Sequence, residues 1–176
     1  MPLEPQLICL IGAECTGKTT LAQALAAQMG GLWVPEYLRT FTDAHGRTPR
    51  QDEQAHILHE QLRLEEEALE QARQQQCPWV FCDTAPLLTA VYSDCVFGDS
   101  GQYPEALVLH RRYAHTLLLE PDIPWVADGL QRDGEAMRAA VHARLQATLT
   151  RAGLAYTCIA GDATERLRTA TETLNG

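Results

Sequence analysis

The sequence predicts an α/β domain in which a parallel sheet of about five strands is flanked on both faces by helices. Three observations carry that expectation. Short apolar runs alternate with longer helical patterns along the whole chain. The first run, Gln6 to Ile11, is continuously apolar after its first residue, as in a strand covered on both faces. A glycine-bearing turn then joins that run directly to a helix.

The elements follow in order. Thr19 to Met29 is rich in alanine and leucine and stops at Gly30 and Gly31, a helix with a glycine terminator. Leu32 to Glu36 reads as a second strand leading into a helix from about Tyr37. A long polar helix is expected from Arg50 to Gln76, with Ala55, Leu58, Leu62, Leu69 and Ala72 as its apolar stripe and Pro78 beyond its end. Trp79 to Cys82 forms the third strand and delivers Asp83. Pro86 to Phe97 is a helix with proline in its first turn, and Pro104 to Arg112 is a further helix. His115 to Leu119 is the fourth strand, followed by a loop carrying Pro121 and Pro124. Gly134 to Ala152 is helical, Leu154 to Ile159 is the fifth strand, and Asp162 caps a last helix reaching about Leu174. No repeat, linker or composition break divides the chain, so residues 1–176 are expected to form one domain.

The 176 residues carry 23 acidic and 14 basic side chains, a formal charge of -9. That balance argues against nucleic acid or an anionic membrane as the main partner. No stretch approaches the ~20 apolar residues of a membrane span, and Met1 to Gln6 lacks the features of a signal peptide. The six cysteines form no CxxC pair, and Cys9, Cys82 and Cys158 fall inside strand-like runs. Reduced core thiols and a cytoplasmic location are therefore expected. Nothing in the sequence specifies an oligomeric state.

The strongest motif is Gly12-Ala13-Glu14-Cys15-Thr16-Gly17-Lys18-Thr19, a GxxxxGK[ST] match between a buried strand and a helix. The glycines let successive amides turn inward around phosphate oxygens, and the helix start adds its positive dipole end. Lys18 supplies a mobile charge for the outer phosphates and Thr19 a hydroxyl for Mg²⁺, with Thr20 completing the phosphate-binding set. Thirteen of the 14 basic residues are arginine, so Lys18 is the only lysine, and it falls where a compact ammonium is needed. With no second lysine a guanine-reading NKxD motif is impossible, and GxGxxG is absent. ATP as phosphoryl donor is the expectation, on a three-layer P-loop kinase fold.

Two carboxylates end strands on the ligand-binding side of such a sheet. Asp83 can hold Mg²⁺ or accept a proton from an acceptor hydroxyl; its plainer reading is a helix cap. Glu36, followed by Tyr37 and Arg39, suits a polyhydroxyl acceptor such as ribose, because a carboxylate accepts from vicinal hydroxyls. Its plainer reading is a first-turn carboxylate favoured by the helix dipole. Glu14, inside the loop, is read as facing the acceptor.

Together the phosphate loop, Glu36-Tyr37-Leu38-Arg39, Phe81-Cys82-Asp83-Thr84 and Trp125-Val126-Ala127-Asp128-Gly129-Leu130 resemble, in this order, the NadR-like nicotinamide-riboside kinase domain. The resemblance implies ATP-dependent phosphorylation of the 5′-hydroxyl of ribosylnicotinamide, giving the mononucleotide used for NAD. It implies that Lys18 and Thr19 serve the ATP phosphates and Mg²⁺, with Asp83 as metal ligand or base. Glu36, Tyr37 and Arg39 would belong to the acceptor side, and Asp128 with Arg132 to a lid-like segment at about 128–140. The family often has tryptophan directly before the Glu-Tyr pair; here that position is Pro35, and Trp33 two residues earlier can partly substitute. Ala127 replaces a second acid, and Gln131 precedes Arg132 where arginine is usual. In better-known members a DNA-binding segment and an adenylyltransferase domain precede the kinase, so repression and adenylyl transfer are expected to be absent from these 176 residues. The alternatives are another nucleoside or nucleotide kinase, or a non-kinase ATP-binding regulatory protein that hydrolyses ATP slowly or not at all.

The remaining polar clusters read as ordinary surface. His56 and His59, Glu65 to Glu67, and His110 to Arg112 are expected to be solvated. Arg132 and Arg138 are candidate lid arginines or a solvated helix face, and Gly161-Asp162 an adenine edge or a cap.

Overall fold

The structure is a computed structural model that describes residues 4–126 and 134–176. In chain order the elements are β1 (Gln6–Ile11), α1 (Lys18–Met29), β2 (Leu32–Val34), α2 (Tyr37–His45), α3 (Gln54–Gln75), β3 (Trp79–Asp83), α4 (Pro86–Phe97), α5 (Tyr103–His110), β4 (His115–Leu119), α6 (Gly134–Arg151), β5 (Thr157–Ile159) and α7 (Ala163–Asn175). The five strands lie in the order β2-β3-β1-β4-β5, and every neighbouring pair is parallel. Asp128, Arg132 and the start of the lid-like segment lie outside the described residues, which resume at Gly134 where α6 begins.

Side chains along β1 alternate between two covered faces. Ile8 and Leu10 pack with Leu21, Leu25 and Leu174 of α1 and α7. Leu7, Cys9 and Ile11 join Leu58, Leu87, Val141 and Leu145 of α3, α4 and α6 on the other side. The result is a three-layer α/β sandwich. Between α1 and β2, a Cβ on Gly31 would stand 2.7 Å from the Trp79 carbonyl oxygen, so glycine lets the chain turn close against β3.

Several expectations are corrected. A 3-10 turn at Gln51–Glu53 precedes α3, where Glu53 accepts two hydrogen bonds from Arg47 at 2.6 and 2.7 Å. On α3 the buried positions are Gln54, Ile57, Leu58, Gln61, Glu65, Leu69 and Ala72. Ala55 is exposed and Leu62 only half-buried. The stripe is rotated because Gln61 and Glu65 find polar partners inside. β5 starts at Thr157 rather than Leu154, and as an edge strand it leaves Cys158 exposed while Cys9 and Cys82 are fully buried. All six thiols are free. His110 is not solvated: it is buried against the Thr116 hydroxyl at 2.9 Å, and burial pulls its pKa down to about 4, so it is neutral.

Glu65 is no surface acid. Both its oxygens accept the Tyr113 hydroxyl at 2.8 Å, and Arg112 stands 3.8 Å away. Burial pushes its pKa up to about 7, against the opposing pull of Tyr113 and Arg112. An acid whose folded-state pKa is raised binds more protons folded than unfolded between the two values. Stability therefore falls as pH rises from about 4.5 to about 7, by about 3 kcal/mol at most. The melting midpoint should decline across that window, and Glu65→Gln should flatten the decline. A variant with the wild-type slope would exclude Glu65 as its origin.

Candidate active site

β1 and β3 are in register with Leu10 opposite Asp83, and the Thr84 amide continues the ladder to the Leu10 carbonyl at 2.9 Å. The phosphate loop and Asp83 therefore emerge side by side at the carboxyl end of the sheet. At Gly12 a Cβ would stand 2.9 Å from Thr16 Oγ1 and 3.0 Å from the Leu119 carbonyl, so only glycine lets the loop close. Gly17, at φ +82°, makes the turn into α1. Thr16 Oγ1 donates to the Ala13 carbonyl at 2.8 Å, an internal brace. Lys18 Nζ donates to the carbonyls of Gly12 and Ala13 at 3.0 and 2.9 Å, which holds the ammonium over the loop.

Asp83 is 2% exposed. Its Oδ2 accepts the Thr19 hydroxyl at 2.5 Å, while Oδ1 is buried without a partner among the described residues. It does not cap α4, whose N-cap is Ala85 with no side-chain bond. A hydroxyl and a carboxylate oxygen left without a partner, beside a phosphate loop, are the hard oxygen donors Mg²⁺ takes. The residues fit that ion. Thr84 holds φ +86°, a costly conformation for a β-branched residue. There its hydroxyl donates to Glu36 Oε1 at 3.4 Å.

Glu36 is half-buried at the start of α2 and makes no capping bond of its own. Burial raises its pKa, opposed by the charge of Lys18 and then reinforced by that of Asp83, while Arg39 and the Thr84 hydroxyl also lower it. It stands where two cavities meet. One is lined by Glu14 to Thr20 together with Arg39. The other is lined by Thr48, Gln54, Ile57, Gln61, Thr84, Thr89, Val96 and Phe97 among others. Glu36, Leu38, Leu88 and Tyr92 belong to both. The first is bounded by the phosphate loop; the second is largely apolar, and among the described residues lining it Glu36 is the one carboxylate.

Not every candidate converges here. Tyr37 turns to α3, with its amide on Gln61 Oε1 at 2.9 Å and its hydroxyl 3.2 Å from His56 Nε2. Trp33 packs with the α1 side of the core and lines neither chamber. Glu14 lines the phosphate chamber and accepts the Trp125 indole N–H at 3.2 Å. Arg138 is 4% exposed and donates to the carbonyls of Pro121 and Ile123, a strut for the loop after β4. Asp162 is a cap, accepting the Glu165 amide at 2.9 Å. His59 pairs with Glu105 at 2.8 Å, and among the described residues no cluster of three metal-ligating side chains occurs. The residues of α4, Leu88, Thr89 and Tyr92, were readable only as core; their i, i+4 spacing after Asp83 was the available signal.

A family model described as AAA domain matches residues 7–166. Among solved structures, NadR protein in complex with NAD and AMP-PNP superposes with a TM-score of 0.77 at 20% identity, covering 98% of this chain and 49% of that one. NadR protein in complex with NR gives 0.75 at 20%, covering 98% and 51%. Deoxyadenosine kinase from M. mycoides with products dCMP and dCDP gives 0.66 at 12%, covering 97% and 99%. The chain thus spans about half the length of the NadR proteins and shares their fold. Among curated proteins none matches the sequence. Among the described residues no helix is long and apolar enough to cross a membrane.

Proposed function

The chain belongs to the AAA-domain family of P-loop proteins, and we propose that it is an ATP-dependent kinase that phosphorylates a nucleoside hydroxyl, with ribosylnicotinamide as the acceptor to test first. The observation that carries this reading is the junction of a phosphate chamber and an apolar acceptor chamber at Glu36. A donor phosphate over the loop and an acceptor in the second chamber would meet across that wall, which is the positioning that phosphoryl transfer requires. Lys18 would neutralise charge on the outer phosphates, and the loop amides would cradle the rest. Thr19 and Asp83 would hold Mg²⁺, which when bound supplies further charge neutralisation across the phosphates. Glu36, with its pKa raised by burial, would accept a hydrogen bond or proton from the acceptor hydroxyl.

Among the described residues that line it, the acceptor chamber has no cationic side chain. That supports a nucleoside over a nucleoside monophosphate, whose phosphate would want arginines. One carboxylate beside Tyr92 and Phe97 suits the cationic pyridinium ring of ribosylnicotinamide. The NR and AMP-PNP complexes of NadR and the dCMP product complex of the deoxyadenosine kinase are consistent with this chemistry. The test is to incubate protein, ATP and Mg²⁺ with ribosylnicotinamide, deoxyadenosine, deoxycytidine and nucleoside monophosphates, and to measure ADP and phosphorylated product. Absence of turnover with every acceptor would sink the kinase reading; tight ATP binding alone would then favour a regulatory role.

Glu36→Gln separates the acceptor from the donor. The KM for ribosylnicotinamide should rise about tenfold, the loss of one charge-assisted contact, with the KM for ATP within twofold. In the wild type, kcat/KM for the cationic acceptor should increase as pH rises through the elevated Glu36 pKa, and the variant should lose that limb. Equal effects on both substrates would remove Glu36 from the acceptor side.

A further inference from the structure

Among the described residues, Arg166 is the most heavily engaged cation outside the site described above. It lies in the first turn of α7, is 4% exposed, and is placed there by the Asp162–Glu165 capping box. Its Nε donates to the Gly161 carbonyl at 2.7 Å, Nη1 to the Thr16 carbonyl at 2.6 Å and Nη2 to the Glu120 carbonyl at 2.9 Å. Nη2 also reaches the Asp122 carboxylate, and that carboxylate accepts the Gly161 amide at 2.7 Å. One guanidinium therefore joins the phosphate loop, the loop after β4 and the turn after β5. Arginine can do this because its donors diverge in one rigid plane.

The contact to Thr16 has a direct consequence. A trans peptide is planar, with its C=O and N–H antiparallel. Holding the Thr16 carbonyl toward Arg166 therefore aims the Gly17 N–H the opposite way. Thr16 and Gly17 line the phosphate chamber, and Gly17 makes the left-handed turn that starts α1. The Gly17 Cα also sits close to this strut, since a Cβ there would come within 4.0 Å of Arg166 Nη1 and 3.8 Å of Ile123 Cδ1.

We propose that Arg166 is a positioning residue for the nucleoside triphosphate: tied by Asp122 and three carbonyls, it locks the Thr16–Gly17 peptide of the phosphate loop. It touches neither the acceptor chamber nor the transferred group. The proposal rests on the kinase reading for its donor, but its test does not require the acceptor. Gly161 belongs to the same lock, because any Cβ at its φ of +93° would lie 2.3 Å from Glu165 Oε2 and open the cap.

The test is MgATP affinity by calorimetry, run beside a melting curve, for wild type, Arg166→Lys and Asp122→Asn. Arg166→Lys keeps the charge but cannot span three loops, and it should weaken MgATP binding at least tenfold. Asp122→Asn leaves the buried site filled and removes only the anionic partner, so a three- to fivefold loss is expected. Steady-state kinetics should show the KM for ATP rising while the acceptor KM stays within twofold. Unchanged MgATP affinity in folded Arg166→Lys overturns the proposal, as does a parallel rise of both KM values, which marks general loosening. If Arg166→Lys does not fold, Asp122→Asn decides: wild-type affinity there overturns it. A wild-type protein that binds no MgATP instead overturns the kinase reading itself, and this lock with it.

Discussion

Lys18→Ala is expected to lower kcat/KM for phosphoryl transfer about 1000-fold, roughly 4 kcal/mol of barrier, while the fold survives. The magnitude follows from what is removed. Lys18 is the only lysine in the chain, is 8% exposed, and stands inside the chamber formed by the phosphate loop. Its only hydrogen bonds among those described are to the Gly12 and Ala13 carbonyls. Truncation therefore breaks no ion pair with a buried acid, and the loop keeps the Thr16 hydroxyl brace and the Arg166 anchor. The melting midpoint should move by only a few degrees. Lys18→Arg should not restore activity, because a planar fork cannot occupy the space of a compact ammonium over two carbonyls. A second signature follows from the shared wall. Lys18 lowers the Glu36 pKa through its charge, so the alanine variant should shift any residual acid limb to higher pH. Activity within tenfold of wild type would displace Lys18 from the phosphate site.

What the sequence made legible was whatever rests on local pattern. Gln6 to Ile11 reads as a buried strand because five successive apolar residues, Leu7 to Ile11, carry the signal, and the loop after it reads as a phosphate cradle because each position has its own reason. The face of α3 was not legible. Gln61 and Glu65 are inside because Tyr37 and Tyr113, 24 and 48 residues away, supply their partners. A polar residue looks solvated until that partner is known. Cys158 shows the converse: its strand was read correctly in kind, but its exposure depends on β5 lying at the sheet edge. The cavity beside Glu36 was invisible for a third reason. It is built from α2, α3 and α4 residues that individually resemble ordinary core, and from Thr84, whose left-handed backbone nothing local announces. Nothing local marks Arg166 either, since the carbonyls it binds belong to three separate loops.

Asp83→Asn should reduce kcat about 1000-fold and, unlike Lys18→Ala, stabilise the protein. The carboxylate is buried, with Oδ2 held by the Thr19 hydroxyl at 2.5 Å and Oδ1 without a partner among the described residues. Asparagine keeps the shape. To go on accepting from Thr19 it must place its amide group where Oδ1 stands, presenting two hydrogens where a cation would need a lone pair. The apparent Mg²⁺ constant should accordingly rise at least tenfold, in the range seen when groups supporting a metal are lost. This outcome separates the two roles the residue type allows. If Asp83 instead accepted the acceptor proton, the Mg²⁺ requirement would be unchanged while turnover still fell. The stability gain has its own cause: a buried carboxylate with an unpartnered oxygen opposes folding, and it sits next to Thr84 in a strained conformation. Such strain persists where the surrounding structure enforces it for another purpose. A variant that is less active, less responsive to Mg²⁺ and higher melting would show that this corner of the sheet is held for binding rather than for folding.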